Sequence, residues 1–134
     1  MLITKKYLIS FEVHSASLSL EELNGYFEIE PSSTSHSIGN IRFLNKKWGY
    51  SAWKVELGEF VDNNYLSAVM QVCKIHEDLS EKIQKISNEN KSIELILEIG
   101  VISNSATISI NLPSEIIQKL GQKNINLSIT TYPL

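Results

Sequence analysis

A single cysteine, Cys73, stands in the 134 residues of this chain. An internal disulfide is therefore excluded, and with it the stapled small-scaffold class. Cys73 falls inside an apolar helical pattern, where a thiol is buried and inert. The six glycines, at positions 25, 39, 49, 58, 100 and 121, never cluster, so there is no glycine-rich phosphate loop. Serine is plentiful, yet no Gly-x-Ser-x-Gly elbow occurs. His14, His36 and His76 are isolated from one another and lack metal-ligand spacing. A basic excess is also missing: 12 Lys and Arg face 15 Asp and Glu, for a formal net charge of −3. That balance argues against a nucleic-acid surface, which shows a basic stripe. No apolar stretch approaches the roughly 20 residues needed to span a bilayer. The segment Met1–Tyr7 carries lysines where a signal peptide would need its apolar run. The expected location is cytoplasmic.

What remains is an ordinary globular composition, 43% hydrophobic and 20% charged. The length suits one domain, 1–134, with a core that needs no metal or disulfide. Tyr7, Ile9, Phe11 and Val13 share one face, the period of a strand with one buried side. Ser19-Leu20-Glu21-Glu22 reads as a capping box, with Leu20, Leu23 and Phe27 at helical spacing and Gly25 awkward among them. Glu30-Pro31 ends that unit, and residues 32–37 form a Ser/Thr loop. Two short strands, 40–44 and 50–57, then suit a hairpin around Trp48-Gly49. Asp62 is a good helix N-cap. Behind it Leu66, Val69, Cys73, His76, Leu79, Ile83 and Ile86 recur every three or four residues, giving one long helix or two with a bend near His76.

Residues 93–102 alternate again, and 107–112 do so after a turn at 103–105. Pro113 suits a first helical turn, Gly121 stops that helix, and 125–130 is a last strand. The order is β-α-β-β-α-β-β-α-β. Strict alternation points to an α+β fold, a mainly antiparallel sheet with helices on one face. The first six elements follow the ferredoxin-like order. The other face would carry Ser10, Glu12, His14, Arg42, Tyr50, Lys54, Glu56, Glu94, Glu98, Thr107, Ser109, Asn111, Asn126, Ser128 and Tyr132, either solvated or given to a partner.

Candidate chemistry is thin. His36 beside Lys46 or Lys47 is the one nuclease-like grouping, and it lacks an identifiable positioned partner. His14, at a strand end, reads as solvent-exposed, and His76 as a core or boundary histidine. Two carboxylate groups stand out, Glu56, Glu59 and Asp62, and Glu77, Asp78 and Glu81. Both read as solvated charge or as an acidic patch that steers a basic partner. Trp53 alternates with Val55 and Leu57 as a core anchor. Trp48, in or beside the hairpin loop with Tyr50, is the type of aromatic that anchors interfaces.

Several segments together resemble a bacterial domain-of-unknown-function family, number 4279. They are Glu30-Pro31-Ser32, Gly39, Trp48-x-x-Ser51-x-Trp53, Ile108-x-Ile110-x-Leu112-Pro113-x-Glu115 and Ile125-x-Leu127-x-Ile129-x-x-Tyr132. The resemblance spans nearly the whole chain. It departs at the first helix, which carries Gly25 internally, and at the long helix, which lacks a midpoint proline. It implies a small stand-alone protein without established enzymatic activity, in some cases of toxin-immunity type, and brings no site residues with it. The expectation is a non-enzymatic immunity protein, without cofactor or metal. It would bind the C-terminal domain of a cognate bacterial toxin through Trp48, Tyr50, Glu56, Glu59 and Asp62, and be a monomer when free. The alternative is a small-molecule-binding sensory or regulatory domain of ferredoxin-like type.

Overall fold

In the computed structural model, residues 5–42, 46–61, 64–103 and 108–133 are described. Strand β1 (Lys5–Ser15) leads to helix α1 (Leu20–Phe27), then β2 (Ser51–Val61), α2 (Tyr65–Asn88), β3 (Glu94–Ser103), α3 (Ser114–Gln122) and β4 (Ile125–Pro133). The four strands form one mixed sheet in the order β2-β1-β3-β4. β1 is antiparallel to both β2 and β3, and β4 is parallel to β3. The α+β class and its mainly antiparallel sheet are as the alternation implied. Placing β1 between β2 and β3, which α2 joins, is the split βαβ arrangement of the ferredoxin-like order.

The period-2 pattern explains the core. Tyr7, Ile9, Phe11 and Val13 of β1 are buried beside Leu95, Leu97, Ile99 and Val101 of β3. Helix α1 starts where Ser19 accepts from the Glu22 amide at 3.1 Å and Glu22 accepts from the Ser19 amide at 3.1 Å. It runs through Gly25 and ends at Glu28, whose φ of 58° closes it. It buries Leu23 and Phe27, and the Phe27 ring meets Trp53 at 4.6 Å. Trp53 is fully buried, the expected anchor, and a fully buried Phe such as Phe27 contributes about 1.5–3 kcal/mol. Helix α2 is continuous over 24 residues and buries Val69, Val72, Cys73, Leu79 and Ile86. Asp62, the expected cap, lies outside the described residues, and Asn64 precedes the helix without a side-chain cap bond.

Two expected strands are not sheet strands. Of 40–44, the described residues give one bridge, Ile41 to Lys47, inside a hairpin closed by Gly39–Trp48 and Trp48–Asn40 hydrogen bonds. Residues 108–112 pair with no strand among the described residues, and Thr107 lies outside them. Ile108, Ile110 and Leu112 instead pack on the core, and the Tyr65 hydroxyl takes the place of a neighbouring strand. That hydroxyl accepts from the Asn111 amide at 3.0 Å and donates to its carbonyl at 3.1 Å. Alternation marks a one-sided extended segment, and such a segment can lie on a core as well as in a sheet. Ser109 and Asn111 therefore do not belong to the open sheet face.

The Ser/Thr loop has a structural task. Along the outer edge of β2, the Ser32 amide donates to the Lys54 carbonyl at 2.7 Å, and His36 and Ala52 exchange both backbone bonds. The hydroxyls of Ser32 and Ser35 accept from the Glu56 and Lys54 amides at 2.8 and 2.9 Å. Serine oxygens and one backbone pair thus occupy an edge that would otherwise be bare.

Candidate recognition face

The face of the sheet away from the helices is built in rows. Glu56, Ser10, Glu98 and Ser128 lie side by side across the four strands, and Lys54, Glu12, Ile96 and Asn126 form the next row. Glu59, Leu8, Gly100 and Thr130 form the row on the other side. Glu56 and Glu59 are three residues apart, so a regular strand would point them to opposite faces. A bulge prevents this. Ile9 pairs with Gly58 and Ser10 with Glu56, leaving Leu57 as the extra residue, and Gly58 holds a φ of 104°. Both carboxylates consequently stand on the open face.

Here they border a depression of about 400 Å³, with Ser10, Glu12, Glu98 and Gly100 in its floor and Thr34, Lys54 and Tyr132 in its walls. Gly100 leaves room for the Tyr132 ring: a Cβ there would come within 3.1 Å of it, and the ring would have to shift slightly. Glu12 is 8% exposed. Burial alone would raise its pKa. Hydrogen bonds from His14 Nε2 and Ser10 Oγ, each 2.8 Å, and the charge of Lys54 outweigh that and hold the carboxyl below its usual value. Glu98 Oε1 is shut off from water and has no hydrogen-bond partner among the described residues. Thr34 donates to Glu56. Four carboxylates thus meet one lysine around a single hollow.

An aromatic cluster adjoins it through His14. The His14 and Tyr50 rings are 4.8 Å apart, and Tyr50 meets His36 and Trp48 edge-on at 5.1 and 5.5 Å. His36 and Trp48 stack at 3.7 Å, and the Arg42 guanidinium lies over Trp48 at 4.4 Å. Burial, then the charges of Lys54 and His14, hold the His36 imidazole below its usual pKa, against weaker opposing pulls from the Tyr50 backbone and Glu12.

Four of the five expected partner residues, Trp48, Tyr50, Glu56 and Glu59, therefore share one continuous surface; Asp62 lies outside the described residues. Ser10, Glu12, Glu98 and Tyr132 belong to it as well, and alternation alone placed them there. His14 differs from its expected exposure: its side chain is 20% exposed because it is bound to Glu12 and lies against Tyr50. His36, expected in a free loop, is pinned to β2 and stacked. Lys46 and Lys47 are exposed, and Glu77, Asp78 and Glu81 form the solvated outer face of α2. His76 is a boundary residue whose pKa is lowered by burial and by Lys123. Among the described residues no group of three or more His, Cys, Asp and Glu is placed to hold a metal ion. No described helix is long and apolar enough to cross a membrane.

A family model described as "Domain of unknown function (DUF4279)" matches residues 5–134. The chain belongs to the DUF4279 family. Comparison with curated proteins and with solved structures returned no match. The match takes in all four strands and three helices, so the open face lies wholly inside the DUF4279 region.

Proposed function

We propose that this chain is a non-enzymatic immunity protein, which binds and neutralises a cognate bacterial toxin domain in the cytoplasm through its open sheet face. One observation carries the reading: an aromatic cluster at Trp48 and Tyr50 is linked through His14 to a hollow lined by Glu12, Glu56, Glu59 and Glu98. Half-buried aromatics of this type supply most of the energy of protein interfaces, and rim carboxylates steer a basic partner into register. A toxin that acts on an anionic substrate has such a basic site. The carboxylates would occupy it in the substrate's place while the aromatics anchor the complex.

The test is co-expression with the toxin C-terminal domain encoded immediately upstream, followed by titration calorimetry. Nanomolar binding with rescue of growth is expected. Trp48→Ala should cost at least about 2 kcal/mol, close to thirtyfold in affinity, and the double variant Glu56→Lys, Glu59→Lys should abolish rescue. Unchanged affinity in both variants would overturn the assignment of this face, and absence of binding by the wild type would overturn the immunity reading.

A second reading rests on the volume of the hollow, which lies within the roughly 300–1,000 Å³ typical of small-ligand sites. A metabolite that raises the melting temperature without any protein partner would favour a sensory or regulatory domain.

A further inference from the structure

The sheet's two edges are finished differently. The outer edge of β2 is occupied by the backbone and serine hydroxyls of residues 32–36 and broken by the Gly58 bulge. β4 pairs with β3 in unbroken register, and no strand lies along its other side among the described residues. Its nine residues, Ile-Asn-Leu-Ser-Ile-Thr-Thr-Tyr-Pro, include no charge. Leu127 and Ile129 stand on the helix side, in register with Leu97 and Ile99, yet they are 43% and 47% exposed. Protein edges are normally blunted by charge, a bulge or a covering segment, and apart from Pro133 at the strand end none of them is found on this one among the described residues.

We propose that β4 is an interface between two copies of this chain, joined edge to edge and antiparallel about a two-fold axis near Ser128. The chemistry selects a second copy as the occupant. With the axis at Ser128, Leu127 of each copy faces Ile129 of the other, so the two exposed apolar side chains cover one another. Each chain carries a net charge of −3, so copies repel over most approaches, and β4 is a stretch where they meet without opposing like charges. Antiparallel self-pairing is isologous and closes at two. Because the β2 edge is occupied from Ala52 to Glu56 and broken by the bulge beyond, growth stops at a dimer with an eight-stranded sheet. Both open faces then lie on the same side, so the dimer presents two copies of the hollow in one direction. This replaces the monomer expected from the sequence, and it does not depend on what the open face binds.

The test is sedimentation of the purified chain from about 1 to 100 µM, where a self-associating protein changes mass with concentration. A species of twice 15.1 kDa is expected. Ile129→Lys should raise its dissociation constant at least about tenfold, while Met70→Lys, at an equally exposed apolar site on α2, should leave it unchanged. Circular dichroism checks that the variants fold, and Leu127→Lys serves where Ile129→Lys does not. A monomer throughout, a dimer indifferent to the β4 variants, or a ladder of larger species would each overturn the proposal.

Discussion

Glu12 and His36 show how single side chains on the open face respond to protons. Glu12 is nearly buried, and its carboxyl is held below the usual value by His14, Ser10 and Lys54 despite its burial. A group with a depressed folded pKa stabilises the protein above its unfolded value, about 4.3 for Glu, and that contribution is lost as pH falls through the folded value. His36 is also depressed, because burial and the charges of Lys54 and His14 disfavour the imidazolium. Its contribution is present above about 6.5 and is lost as pH falls below that. His76 has the same sign, so wild-type stability alone does not separate the two. Two windows of acid loss are expected, one below about pH 6.5 and one below about pH 4. His36→Phe, which keeps a ring against Trp48, should shrink the upper window to the part that His76 contributes. Glu12→Gln should flatten the lower one while lowering stability at pH 7. Urea midpoints across pH 3–8 measure both, and an unchanged upper window in His36→Phe would remove His36 as its source.

At the level of elements, the β2 bulge decides which side chains reach the surface. Gly58 allows a φ of 104° that other residues adopt only under strain. Its substitution to Ala meets no neighbouring atom within 4 Å, so any cost is backbone cost. Gly58→Ala should therefore lose about 1–3 kcal/mol in chemical denaturation. It should also weaken any binding that needs Glu56 and Glu59 together, because relief of the strain returns β2 to a regular register. A loss below about 0.5 kcal/mol would mean that the bulge does not depend on this backbone state.

For the whole molecule, charge is distributed unevenly. The hollow concentrates Glu12, Glu56, Glu59 and Glu98 against Lys54, while β4 carries no charge at all. Binding at the hollow should therefore be steered by charge. Its association rate should fall at least about tenfold between roughly 50 and 500 mM salt, with the dissociation rate nearly constant. Stopped-flow mixing with the toxin domain measures this, and a salt-independent rate would place the contact elsewhere. Association through β4 should respond to salt in the opposite direction, since screening weakens the repulsion between two anionic copies.

Local patterning was enough to place the main elements: the strand at Tyr7–Val13, the capping box at Ser19, the long apolar stripe from Leu66 to Ile86 and Trp53 in the core. Each depends on a period or a spacing that neighbouring residues impose on one another. The alternation of 108–112 was equally visible, but whether it joins a sheet depends on a partner, and Tyr65 from another element took that place. Glu56 and Glu59 group with Asp62 because the three lie close in sequence. Only the pairing of β1 with β2, offset by one residue at Leu57, turned Glu56 and Glu59 to the same face. The nearness of His14, Tyr50, His36 and Trp48 likewise arises because residues 32–38 fold back along β2. Periodicity is a local property, set by residues two to four positions apart, and can be read without knowing the fold. Register, edge cover and the meeting of distant rings come from pairing between segments far apart in the chain, so they exist only once the chain has folded.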